Sequence, residues 1–175
     1  MTHRSNSMKR TSISYLIFAL LVLLWCILIV TAPFLRASDL NNPISGLLYD
    51  GFGTICHQID GRSFHVAGEK FGVCARCASL YFGFCFSLFL LPLVARSTDR
   101  IVPPKAVLVL PASLMLADVA FTLLGVCEST MLTRTLTGGL LGMALPWFIV
   151  PPLIDSLDRV QIQIRARRSH LQPGE

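Results

Sequence analysis

Three cysteines and a histidine in this chain have types and spacing that suit one another. Cys56-His57 is followed by Cys74-Ala75-Arg76-Cys77. Three thiols and an imidazole form a full tetrahedral zinc set, and Cys-x-x-Cys has the usual ligand spacing. Sequence neighbours seldom both reach one ion comfortably, so His65 is a substitute ligand, with His57 then acting from behind the site. The same thiols suit two other chemistries. A Cys-x-x-Cys that opens a helix has its thiolate favoured by the positive helix N-terminus and by Arg76. In an oxidising compartment this is a redox pair, with Cys56 as the third thiol of an exchange relay and a quinone as electron acceptor. A structural disulfide pinning a loop to a helix is the third. Zinc, in a structural or hydrolytic site, is the expectation carried forward, with thiol–disulfide exchange as its alternative and a small transporter or assembly factor as a second.

Other residues add to this set. Asp118 lies inside an apolar run, where an ionisable group costs ~3 kcal/mol or more and marks either function or an interhelical hydrogen bond. Helix rise is expected to put it ~14 Å from the end of its span, out of reach of the cysteines. Glu128 and Arg134 flank a short loop and are expected to pair. Beside a metal, Glu128 would be a ligand or general base. Asp118 and Glu128 are therefore the catalytic candidates, and Arg76 and Arg134 the candidates for holding an anionic lipid group or small substrate. Gly138-x-x-x-Gly142 predicts a close helix–helix approach. Cys26 and Cys85, inside apolar runs, read as small apolar residues, and Cys127 as a spare thiol. No Gly-rich phosphate loop and no His-Glu-x-x-His motif is present.

The elements that must position these groups are long and apolar. Of 175 residues, 53% are apolar and 14% charged, against about a quarter charged in soluble domains. A membrane span needs ~20 apolar residues, and four runs meet that demand, over about 12–35, 75–95, 106–127 and 134–154. The first exceeds a signal-peptide core, so an uncleaved anchor is expected. The net charge of +5 sits beside these runs, which points to a lipid bilayer and not to nucleic acid. Ten Lys and Arg flank one side (Arg4, Lys9, Arg10, Arg96, Arg100, Lys105, Arg159, Arg165, Arg167, Arg168) and five the other (Arg36, Arg62, Lys70, Arg76, Arg134). By the positive-inside rule both termini are cytoplasmic, in an inner cell membrane, and segment 36–73 faces outward. The basic tail 156–175 reads as a juxtamembrane helix that frays.

Segment 36–73 is too long for a plain connector. After Asn42-Pro43, the spacing of Ile44, Leu47, Leu48, Phe52 and Ile55 predicts a short interfacial helix. Asp60-Gly61 and Ala67-Gly68 are turn signals around Arg62–Val66, and a small hairpin there would return Cys56 towards Cys74.

Cys56-His57-Gln58, Arg62-Ser63-Phe64, Cys74-Ala75-Arg76-Cys77, Glu128-Ser129-Thr130, Arg134, Thr137-Gly138 and Gly142 together resemble the prokaryotic membrane proteins grouped as domain of unknown function 2085. Asp118 falls where that family tends to carry an intramembrane aspartate. The resemblance covers roughly residues 44–146 and implies an integral membrane protein with an outer cysteine site, without naming a reaction. The expected fold is an all-α, four-transmembrane-helix bundle with an ordered outer loop, in a single membrane domain 1–175.

Overall fold

A computed structural model describes residues 2–97 and 103–171. The chain forms α1 (Thr2–Ser38), α2 (Pro43–Gly53), a 3-10 turn (Asp60–Arg62), a two-stranded hairpin of β1 (His65–Val66) and β2 (Glu69–Lys70), α3 (Ala75–Ser97), α4 (Ala106–Leu123) and α5 (Met131–Leu171). Four helices are long and apolar enough to cross a membrane, over Ile13–Ser38, Ala75–Val94, Ala106–Leu123 and Met131–Leu153. In hydrocarbon only a helix or a closed barrel satisfies every backbone group, so these apolar runs fold as helices in spite of Pro33, Pro92, Pro111 and Pro146 within them.

Small residues hold α3 against α5. A Cβ at Gly138 would overlap the carbonyl of Arg76, one at Gly142 that of Leu80, and one at Gly83 that of Gly139. The expected Gly-x-x-x-Gly approach is therefore a backbone-to-backbone contact, and Arg76-Cys77 is set directly on the first turns of α5. On the other side, Trp25 of α1 stands edge-on to Phe52 of α2 (centroids 5.1 Å apart) and to Tyr81 of α3 (6.0 Å). Helix α4 has no buried residue and packs along α5.

Two helix ends differ from the sequence reading. The third apolar helix stops at Leu123, not near Cys127. Gly125 adopts φ +69°, its N–H bonds Thr122 O (3.3 Å), and the N–H of Val126 bonds Phe121 O (3.1 Å). This is a Schellman cap, which needs a residue free to enter the left-handed region. After it, Thr130 accepts the N–H of Thr133 at 3.2 Å and starts α5. Helix α5 then runs unbroken to Leu171, so the expected juxtamembrane tail helix is continuous with the fourth apolar helix.

The segment between α1 and α3 is ordered. Asn42 Oδ1 accepts the N–H groups of Ile44 (3.0 Å) and Ser45 (3.2 Å), and Pro43 takes the first helical position of α2. Ser45, Tyr49 and Phe52 face inward, and the Ser45 hydroxyl donates to Ala32 O of α1 at 3.1 Å. Ile44 and Leu47 face outward. The hairpin closes through Ala67 (φ +53°) and Gly68 (φ +84°). Two positive φ values between paired strands, with Val66 opposite Glu69, make a type I′ turn.

Candidate metal centre

Cys56, Cys74 and Cys77 converge where α2, the hairpin and α3 meet. Cys56 follows α2, with its N–H still bonded to Phe52 O at 3.0 Å. Cys74 sits just before α3, its carbonyl accepting the N–H of Ala78 at 2.9 Å, and Cys77 lies in the first turn. The three Sγ atoms fall within 4.8 Å of one another. Cys74 and Cys77 are 3.4 Å apart, and the backbone N–H of Cys74 donates to Cys56 Sγ at 3.2 Å. Tetrahedral zinc with ~2.3 Å bonds sets its sulfurs ~3.8 Å apart, so the donor set fits that ion. The thiol of Cys77 is hydrogen-bonded to Cys74 and, against the effect of burial, lowers the Cys74 thiol to about 5. Backbone N–H groups and Cys56 add to this.

The site is enclosed by Ile29, Phe52, Phe71, Val73 and Ala78, with Tyr81 packed against them. Just past Cys56 the chain turns at Gln58, in the left-handed region at φ +47°. That conformation costs a non-glycine residue ~1 kcal/mol or more. It is held from both ends, since the Gln58 amide donates to Tyr49 O (2.6 Å) and its carbonyl accepts from Lys70 Nζ (2.9 Å). The Tyr49 hydroxyl donates to Lys70 O, and Arg36 lies over the Tyr49 ring while pairing with Glu69 (3.3 Å). Lys70 and Glu69 thus tie the hairpin to α1 and α2, and the hairpin returns the chain to α3.

The histidines are placed elsewhere. His57 is exposed, because its neighbour Cys56 is the one turned into the core. His65 is exposed on β1, its Nε2 3.2 Å from Asp60 Oδ1. Neither stands with the three sulfurs. All six cysteines are free thiols. Cys26 is buried with its Sγ 3.5 Å from Tyr81 O, Cys85 is buried, and Cys127 is exposed.

A second cluster lies beside the sulfurs, and it overturns the expected isolation of Asp118. Asp118 forms an ion pair with Arg76, the residue between Cys74 and Cys77. Because α4 ends at Leu123, Asp118 lies only five residues, ~7.5 Å, from the helix end. The Ser129 hydroxyl donates to Asp118 Oδ2 at 3.0 Å and accepts from Arg134 Nε at 3.1 Å and Arg76 Nη2 at 3.3 Å. Arg134 therefore meets Ser129 and not Glu128. Glu128 is exposed and forms no ion pair among the described residues. Ser129 and Gln58 carry no signal of their own in the sequence beyond the motifs that contain them. A short hydroxyl side chain has no diagnostic spacing, and a left-handed glutamine has none at all.

Comparison with known proteins agrees with this architecture. Residues 56–148 match the family model described as "Predicted membrane protein (DUF2085)". The chain is 32% identical over 141 residues to "Uncharacterized protein MJ1492" of Methanocaldococcus jannaschii, covering 78% of this chain and 90% of that one. It is 33% identical over 95 residues to an "Uncharacterized protein" of Methanothermobacter thermautotrophicus, covering 54% and 83%. No solved structure matches. With four apolar helices among the described residues and a family match that spans the three clustered cysteines, the Arg76–Asp118 ion pair and most of the apolar part of α5, the chain belongs to the DUF2085 family of predicted membrane proteins.

Proposed function

We propose that this multi-pass membrane protein is a metalloprotein, in which the thiolates of Cys56, Cys74 and Cys77 hold a zinc ion at the outer face of an inner cell membrane. The carrying observation is the convergence of three sulfurs from two separate stretches of chain within 4.8 Å. The N–H of Cys74 on Cys56 Sγ and the acidic Cys74 thiol support it. Three protein ligands would leave a fourth position, where a bound zinc would act as a Lewis acid on a further ligand; with a fourth protein ligand the ion would be structural. In this reading the fourth ligand comes from neither histidine. Asp118 orients Arg76 beside the centre, and Glu128 has no contact that supports a role as base. The Lys and Arg distribution supports the orientation, with ten on the side away from the thiols.

Protein purified in detergent should carry about one zinc per chain by mass spectrometry. Cys56→Ser, Cys74→Ser and Cys77→Ser should each lose most of it. Metal-free protein with all its thiols open to alkylation would overturn the proposal. The 3.4 Å separation of Cys74 and Cys77 favours a second reading in that event. The dithiol would give two electrons and two protons to a quinone, leaving a Cys74–Cys77 disulfide and a quinol. That reading requires a disulfide which dithiothreitol opens and a quinone restores.

A further inference from the structure

Beside the sulfurs, the arginines outnumber their counter-charges. Arg62, Arg76, Asp118 and Cys74 all act electrostatically on Arg134, and Asp118 is the sole carboxylate among them. Arg62 is exposed, so the two enclosed guanidinium groups, Arg76 and Arg134, have one carboxylate between them. The hydrogen bonds show the same deficit. Arg134 is only 7% exposed, yet among the described residues only its Nε has a side-chain partner, Ser129. Its two Nη groups have none. The Nε of Arg76, unlike those two groups, is fully buried without a partner. A buried cation with open donors is costly unless an anion completes it.

We infer that Arg134 and Arg76, with Arg62 at the rim, form a binding site for a phosphate group. A carboxylate has two oxygens, which one guanidinium satisfies, whereas a phosphate offers enough oxygens to engage two guanidinium forks at once. The position agrees. Arg76 is the second residue of α3 and Arg134 the fourth of α5, where both apolar spans begin and lipid phosphates lie. Asp118 and Ser129 hold the two side chains and take up the charge of one. The inference does not depend on the metal reading, because neither arginine is a proposed ligand of the ion.

Two probes separate the sources of the phosphate. Inorganic phosphate is titrated against protein in detergent, with thermal stability as readout. Phosphatidylglycerol is titrated into phosphatidylcholine nanodiscs, with lipid retention read by native mass spectrometry. Saturable binding of either supports the site and names its source. Arg134→Gln should weaken that binding about tenfold or more, while Arg134→Lys, which keeps the charge and loses the fork, should fall between. Arg62→Gln changes an exposed residue and should fold normally, with affinity reduced less and its salt dependence flattened. Failure of both probes to bind the wild type, or wild-type affinity in folded Arg134→Lys, would overturn the inference. Zinc content measured in the same samples keeps its failure distinct from that of the metal proposal.

Discussion

Cys74 has a role distinct from its two partners, because it receives hydrogen bonds that favour its thiolate while Cys77 supplies the proton. Its folded value of about 5 lies well below the ~8.5 of a free thiol. The sign follows from linkage. The group contributes stability that is fully present above the unfolded value and is lost as pH falls through about 5. Reduced, chelator-treated protein should therefore alkylate at Cys74 with half-maximal rate near pH 5, followed by peptide mass spectrometry. A midpoint between 8 and 9 would show that the hydrogen bond does not hold in solution. At this scale the three thiols are legible in the sequence because Cys-x-x-Cys is a spacing imposed by helix geometry. The histidines are not, since which of two adjacent side chains turns inward depends on how the end of α2 packs against α1 and α3. The Arg76–Asp118 pair is hidden because reach depends on where α4 stops.

Among the elements, α3 and α5 act as one unit because glycines remove the side chains between them. Gly142→Ala or Gly138→Ala drives a methyl group into the carbonyl of Leu80 or Arg76. Either should destabilise the protein by about 1–3 kcal/mol, as overpacking does. Gly46→Ala is the matching control. It lies inside α2 with nothing within 4 Å of a new Cβ, and should stabilise by about 0.5–1 kcal/mol. Thermal unfolding in detergent distinguishes the two directions, and equal melting points for all three variants would refute the backbone contact. The four-residue spacing of the glycines is enough to announce this approach. The end of α4 is harder to read because residues 124–127 include apolar Leu124 and Val126, and the stop lies in one left-handed glycine. Hydrophobicity reports what lipid tolerates, and a cap reports where the backbone turns.

Taken whole, the molecule is the most legible level, since the length and charge of an apolar run are direct measures of what a bilayer accepts. Four such helices are present. The proposed orientation depends on the arginine and lysine bias and can be tested without regard to any activity. Cysteines introduced at Gly68, in the hairpin turn, and at Ser97, at the far end of α3, in a background lacking native thiols, should label from opposite sides of intact cells. A membrane-impermeant maleimide should reach Gly68→Cys and miss Ser97→Cys. The reverse pattern inverts the protein and moves the thiols to the cytoplasm.

The link between Arg76 and Asp118 also bears on biosynthesis. The two are 42 residues apart, and the tight partner of α3, α5, begins only at Met131. While the chain is being made, α3 therefore reaches the bilayer before its counter-ion and before the helix it fits. Until α4 follows, lipid phosphates and water at the membrane surface must solvate the Arg76 guanidinium, so α3 stays near that depth while it waits. The ion pair then closes across two helices that otherwise share little surface, and α3 is fixed in register only when α5 packs against it. A chain ending before Asp118 would have α3 in the membrane but not yet held in register.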